Sequence, residues 1–88
     1  MGTIEIKDPG IIAKFATYPN PVIEHLNLRR QQNNKATFEI YNSTGTLVKK
    51  SDVYGSSQII DVSKLTSGAY MINLNENGIT FSQRFFKQ

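Results

Sequence analysis

Apolar residues recur at every second position in several short stretches of this sequence, and Gly, Asn, Ser and Pro separate these stretches. Such alternation is typical of half-buried β-strands, whereas an amphipathic helix repeats its apolar residues every three to four positions. No helical pattern about ten residues long occurs, and no segment repeats at a fixed period. The pattern therefore predicts an all-β protein.

The alternation predicts seven short strands and the face on which several side chains lie. In the third and sixth strands, Phe38 and Ile72 belong to the inward faces. In the seventh strand, Phe85 points into the protein and Phe86 points out. The fourth strand begins at Leu47, is short or lies at a sheet edge, and returns to solvent at residues 49–52. The predicted strands are residues 13–17, 22–29, 36–41, 47–48, 58–62, 70–75 and 79–87.

Turn residues separate these strands at intervals of about eight to twelve residues. Pro19 and Pro21 exclude a helix where the first strand ends, because neither has a backbone N–H to donate. Residues 42–45 form a predicted hairpin turn, and Asn77-Gly78 is the strongest hairpin dipeptide in the chain. The predicted fold is a small immunoglobulin-like antiparallel β-sandwich of about seven short strands.

Composition narrows the functional classes. The 88 residues suffice for one small domain, and the absence of cysteine excludes disulfides, thiolate metal sites and a cysteine nucleophile. Ten Lys and Arg against seven Asp and Glu give a net charge of +3 that is spread along the chain, so we do not expect nucleic acid binding. No apolar run is long enough for a transmembrane helix or the core of a signal peptide.

The sequence contains no residue pattern that is typical of a catalytic site. His25 is the only histidine, and its neighbours suggest neither a zinc site nor a catalytic triad. The carboxylates are scattered, and the glycines are isolated at turns and do not form a phosphate-binding loop. Asp61 precedes a predicted corner, where it would accept backbone N–H bonds. We therefore expect no enzyme activity, no cofactor and no metal.

Four motifs occur in order between Phe15 and Gln88, and together they are more specific than any one alone. They are Tyr18-Pro19-Asn20-Pro21, Gly45-Thr46-Leu47-Val48, the stretch that carries Asp61, Leu65, Gly68 and Tyr70, and the basic aromatic tail Arg84-Phe85-Phe86-Lys87-Gln88. In this arrangement the sequence resembles the type IX secretion system (Por secretion system) C-terminal sorting domain, type A, of Bacteroidetes secreted proteins.

The resemblance implies a secretion signal at the end of a larger protein. Such a domain remains folded behind its N-terminal cargo in the periplasm and is recognised by the outer-membrane translocon. A sortase-like peptidase at the cell surface then removes it, and the cargo is often joined to anionic lipopolysaccharide or is secreted. The peptidase and the translocon are the implied partners.

The same reading divides the chain into two parts. Residues 1–14 are interpreted as a linker with an added Met1-Gly2 start and a possible processing region at Asp8-Pro9-Gly10, and residues 15–88 as the sorting domain. The tail, residues 84–88, is the predicted recognition surface, and its deletion from Phe85 onward is expected to leave folding mostly intact. The other motif residues are assigned mainly to folding.

Two alternatives remain at this point. Exposed tyrosines on a sandwich stack on sugars, so a non-catalytic adhesive or carbohydrate-binding module of a secreted enzyme is the competing hypothesis. Exposed sheet edges also permit a homodimer that pairs edge strands.

Overall fold

The computed structural model describes residues 15–88 of the protein. These residues form seven β-strands and no helix, which confirms the all-β prediction. The strands are β1 (Phe15–Tyr18), β2 (His25–Arg30), β3 (Ala36–Asn42), β4 (Leu47–Val53), β5 (Ser57–Asp61), β6 (Gly68–Glu76) and β7 (Ile79–Lys87).

The strands form two antiparallel sheets that pack as a sandwich. One sheet has the order β1-β2-β5 and the other the order β4-β3-β6-β7. In constant-type immunoglobulin domains the fourth strand belongs to the sheet of the first, but here β4 pairs with β3 in the second sheet. The predicted immunoglobulin-like sandwich is confirmed, with the fourth strand on the larger sheet.

The core lies between the sheets and follows the predicted alternation. Phe38 and Ile40 of β3 and Ile72 and Leu74 of β6 are fully or almost fully buried, as expected from their positions. The alternate residues Glu39, Tyr41, Met71 and Asn73 stay partly exposed on the outer face. The complete buried apolar set is Phe15, Val22, Leu26, Leu28, Ala36, Phe38, Ile40, Val53, Ile60, Val62, Tyr70, Ile72, Leu74 and Phe85.

Two strand boundaries differ from the prediction by three residues or more. β2 begins at His25, not at Val22, because Val22 forms a parallel bridge to Lys87 at the far end of the chain. β4 does not end at Val48 but continues to Val53, whose side chain is buried, and residues 50–52 are exposed as predicted. The polar residues between them remain paired with β3, and the predicted edge position of β4 is confirmed.

The β6–β7 hairpin has two differently built ends. At the turn end, Asn77 (φ 54°) and Gly78 (φ 80°) both adopt the left-handed conformation that a type I′ turn requires, as the dipeptide predicts. At the open end, Gly68 pairs with Lys87 and Ala69 pairs with Phe86. The predicted recognition tail therefore lies at the open end of this hairpin.

A buried ion pair that the sequence reading missed closes the turn end. Nη1 of Arg30 lies 2.7 Å from Oε2 of Glu76, and both side chains are almost inaccessible. Arg30 also donates from Nε to the carbonyl oxygen of Gly55 at 2.9 Å and from Nη2 to that of Asn34. The predicted second strand stopped at residue 29, and extending its alternation by one residue places Arg30 on the same inward face as Leu28.

Candidate functional site

The tail residues alternate between the core and solvent. Phe85 and Lys87 are buried, whereas Arg84, Phe86 and Gln88 are exposed. The side chain of Phe86 is 53% exposed although it is large and aromatic. The tail is therefore not uniformly accessible, because only alternate residues are exposed.

Phe85 is a core residue. Its ring stacks on that of Tyr70, with centroids 5.4 Å apart and an interplanar angle of 16°. The two residues are register partners in β6 and β7, and the hydroxyl of Tyr70 donates to the carbonyl oxygen of Thr66 at 2.6 Å. Removing Phe85 would open a cavity beside this corner, so we expect deletion of residues 85–88 to destabilise the fold, in contrast to the expectation from the sequence.

The Tyr18-Pro19-Asn20-Pro21 motif contacts the tail directly. Asn20 Oδ1 accepts a hydrogen bond from the backbone N–H of Phe86 at 2.9 Å. The backbone N–H of Val22 donates to the carbonyl oxygen of Phe86, and that of Gln88 donates to the carbonyl oxygen of Val22, both at 2.8 Å. Both backbone groups of Phe86 are therefore bonded on this side, while β7 is paired with β6 on its other side, so the exposed ring projects from a fixed position.

The Asp61 to Tyr70 motif forms the corner that leads into β6. Asp61 Oδ1 accepts the backbone N–H of Ser63 at 2.9 Å, as predicted, and the N–H of Leu65 donates to the carbonyl oxygen of Val62 at 3.0 Å. Hydrogen bonds from Ser63, first its hydroxyl and then its N–H, lower the pKa of the Asp61 carboxyl. This corner resembles a tyrosine corner, because the Tyr70 hydroxyl returns to the backbone upstream.

A groove of about 270 Å³ opens beside Phe86 on the outer face of the larger sheet. Its walls come from β6, the end of β7 and the turn between β3 and β4, and they include Asn42, Ser43, Ala69, Met71, Arg84 and Phe86. We call it the C-terminal groove. The sequence predicted Arg84 and Phe86 as site residues but not the other four. These four come to lie beside Arg84 and Phe86 only through the cross-strand register, which the sequence pattern does not show.

Asn42 shapes the turn that closes one side of this groove. Its Oδ1 accepts hydrogen bonds from the N–H of Thr46 at 2.9 Å and from the N–H and hydroxyl of Thr44. Gly45 (φ 85°) adopts a left-handed conformation that suits glycine, and its N–H donates to the Asn42 carbonyl oxygen. The side-chain oxygen of Asn42 is thus engaged within the turn.

The Gly45 to Val48 motif is less buried than a folding role alone requires. Leu47 is 45% exposed and Val48 38% exposed, although both are large and aliphatic. Leu47 pairs with Tyr41 across a bulge, and that row continues to Met71 and Arg84. Packing in the core therefore does not account for Leu47.

Within residues 15–88, no group of His, Asp and Glu is placed to hold a metal ion. His25 is exposed, as predicted, and is paired in register with Asp61 on the neighbouring strand. No helix in that range is long and apolar enough to cross a membrane. The predicted processing residues Asp8, Pro9 and Gly10 lie outside the described residues.

Comparison with known proteins agrees with the motif arrangement. The model of a family described as "Secretion system C-terminal sorting domain" matches residues 16–88. The matched segment covers nearly all of the described sandwich and includes all four motifs and the C-terminal groove. No curated protein matches the sequence.

Proposed function

The chain belongs to the family of secretion system C-terminal sorting domains, and from this premise we propose the route taken by the protein that carries it. The domain is a C-terminal sorting signal of the type IX secretion system, which exports proteins to the cell surface or secretes them. Family members are signals and not catalysts. The family match over residues 16–88 is the observation that carries the assignment.

In the proposed route, the sandwich stays folded behind its N-terminal cargo in the periplasm until the outer-membrane translocon recognises it. The tail is the proposed recognition element. Support comes from the Phe86 backbone, whose N–H and carbonyl oxygen are both hydrogen-bonded while its ring is left exposed. A fixed, exposed aromatic side chain loses little conformational entropy when a partner binds it.

A sortase-like peptidase at the surface then cuts the cargo from the domain. We place the cut before Phe15, within residues 3–14 that include Asp8-Pro9-Gly10. The physical reason is that a peptidase needs accessible, unpaired backbone, whereas most residues from β1 to β7 are bonded into sheets. The new cargo terminus is then joined to anionic lipopolysaccharide or released.

The test is a fusion of residues 3–88 to a periplasmic reporter protein in a strain with a type IX system. We expect the reporter at the cell surface or in the medium, with a new C-terminus before Phe15 when it is measured by mass spectrometry. The same fusion in a strain without the translocon is the control, and it should keep the reporter in the periplasm. Retention in both strains would contradict the sorting role.

Two further readouts of the same fusion test the finer steps. A new terminus between Tyr18 and Phe86 would contradict the proposed cleavage region. A glycan attached to the reporter C-terminus would support the lipopolysaccharide linkage, and an unmodified terminus would support release. Specific binding on a glycan array by a domain that remains attached to its cargo would instead favour the carbohydrate-binding alternative.

A further inference from the structure

The outer face of the larger sheet is divided into two halves of different chemistry. Towards the β6–β7 turn, polar side chains bond one another across the strands. The Ser82 hydroxyl donates to Asn73 Oδ1 at 2.6 Å, and the Thr37 hydroxyl donates to Asp52 Oδ1 at 3.3 Å. The amide of Asn75 donates to Glu39 at 3.3 Å. The polar side chains of this half are therefore hydrogen-bonded to one another within the sheet.

The half towards the open end of the hairpin is apolar with one cation. Leu47, Met71 and Arg84 are members of one cross-strand row, and Phe86 lies in the next row with Ala69. We call these five residues the Phe86 surface. Leu47 and Phe86 are 45% and 53% exposed. Ala69, Met71 and Phe86 share the C-terminal groove, and exposed apolar side chains that cluster mark interaction sites more often than isolated ones do.

The charge on this half is unbalanced. Within residues 15–88, the ion pairs join Arg30 to Glu76, Lys35 to Asp52 and Lys50 to Glu39, so Arg84 takes part in none of them. The acid on the neighbouring row, Glu39, is already engaged by Lys50, by the Tyr41 hydroxyl and by Asn75. Arg84 is thus a cation beside an apolar groove with its guanidinium available to a carboxylate.

Size and composition favour a protein as the occupant. The groove volume of about 270 Å³ is below the range of roughly 300 to 1,000 Å³ found for small-molecule sites. It is better matched to a single side chain. Aromatic residues, Met and Arg are enriched at protein interfaces, and Phe86, Met71 and Arg84 supply all three types here.

From these observations we infer that the Phe86 surface docks an acidic segment of a partner protein. One apolar side chain of that segment enters the C-terminal groove against Met71 and Phe86, and a neighbouring carboxylate pairs with Arg84. The inference rests on the proposed sorting function and adds to it the surface and the chemistry of the partner.

Export of the reporter fusion, in a type IX strain, tests the surface with matched controls. Arg84→Glu and Phe86→Ala should each lower the ratio of exported to periplasmic reporter by about tenfold or more, as loss of a central interface residue does. The matched controls are Arg29→Glu and Ile59→Ala, which make comparable changes at exposed positions of the smaller sheet. Each control should change the ratio of exported to periplasmic reporter by less than about twofold.

A charge series at Arg84 tests the acidic partner. Export should decrease in the order Arg84→Lys, Arg84→Gln, Arg84→Glu, because lysine retains the charge and glutamate repels a carboxylate. Equal export by all three variants would overturn the inference that the partner segment is acidic. An equal loss of export in Arg29→Glu would overturn the inference that the partner binds at the Phe86 surface. Thermal unfolding of the 88-residue chain should be almost unchanged in each variant.

Photo-crosslinking identifies the occupant independently of export efficiency. A photoreactive benzoylphenylalanine at position 86, compared with one at position 59, should crosslink to a partner segment that contains Asp or Glu next to an apolar residue. A crosslink to a second copy of this chain, or to a segment without an acid, would overturn the inference. Failure of the unmodified fusion to be exported would instead contradict the sorting function itself.

Discussion

An arginine lies at each end of the β6–β7 hairpin, Arg30 of β2 at the turn end and Arg84 of β7 at the open end, and their environments are opposite. At the turn end, Arg30 is buried and bonded to Glu76 and to two backbone carbonyl oxygens. At the open end, Arg84 is exposed beside Phe86 and has no ion pair within the described part of the chain. A buried charge must be compensated within the fold, whereas an exposed one is free to serve a partner.

The difference shows that residue type does not separate buried from exposed positions in this tail. Phe85 and Phe86 are adjacent and identical, yet one is stacked in the core and the other is half exposed. Position in the strand alternation decides which role each takes. Substitutions at both ends of the hairpin test this division, and those in the core should have the largest effects.

Exchanging each phenylalanine for alanine should separate the two roles most clearly. Phe85→Ala should lower the free energy of unfolding by about 3 to 5 kcal/mol, because it leaves a cavity and removes the stack on Tyr70. Phe86→Ala should change it by no more than about 0.5 kcal/mol. Urea unfolding followed by circular dichroism measures both. Equal losses in the two variants would contradict the division.

Breaking the ion pair should have the next largest effect. Glu76→Ala should cost about 3 to 5 kcal/mol, because it leaves the buried guanidinium of Arg30 without its charged partner. The double variant Arg30→Met with Glu76→Leu should recover most of the loss, since no charge then remains buried. Arg29→Ala, at an exposed neighbouring position, is the control, and a comparable loss there would refute the assignment.

Removing the side-chain oxygen of Asn20 should loosen the tail with a smaller effect on stability. Asn20→Ala removes the acceptor of the Phe86 N–H, and we expect a loss of about 0.5 to 1.5 kcal/mol. Hydrogen exchange of the Phe86 amide should become faster while that of the Ile72 amide stays slow. Asn33→Ala, at an exposed loop position, is the matched control. Unchanged exchange at Phe86 would show that Asn20 does not hold the tail.

The smallest effect concerns the corner that leads to the open end. Ser63→Ala should raise the lowered pKa of Asp61 towards the ordinary value, because the first cause of the lowering is the Ser63 hydroxyl. A lowered pKa in the folded state means that this stability is present above the unfolded pKa of about 4 and is lost as the pH falls through the folded value. NMR titration of the Asp61 carboxyl in both proteins measures the change, and identical curves would contradict it.

Much of the fold follows from local pattern, and the exceptions have a common cause. The inward positions of Phe38, Ile72 and Phe85 were predicted correctly because alternation is a property of neighbouring residues in one strand. The burial of Arg30 and the bridge of Val22 to Lys87 were missed. Both contacts join parts of the chain that are distant in sequence, so the alternation of apolar and polar residues within one strand cannot predict them.

The candidate site divides in the same way. Alternation placed Arg84 and Phe86 together on the outward side of β7, and the structure agrees. It did not place Met71, Ala69 and the Asn42 turn beside them, because that depends on which strand lies next to β7 and in which register. The processing residues before Phe15 remain a prediction from the sequence.

The sequence by itself determined the strand class, the hairpin at Asn77-Gly78 and the family, since each depends on local pattern or on ordered motifs. Only the tertiary structure decided that the Asn20 motif holds the tail, that Arg30 is buried, and that a groove opens beside Phe86. The physical reason is that these features arise where separate strands meet. The sum of many weak contacts across the sandwich sets their geometry, and no single segment encodes it.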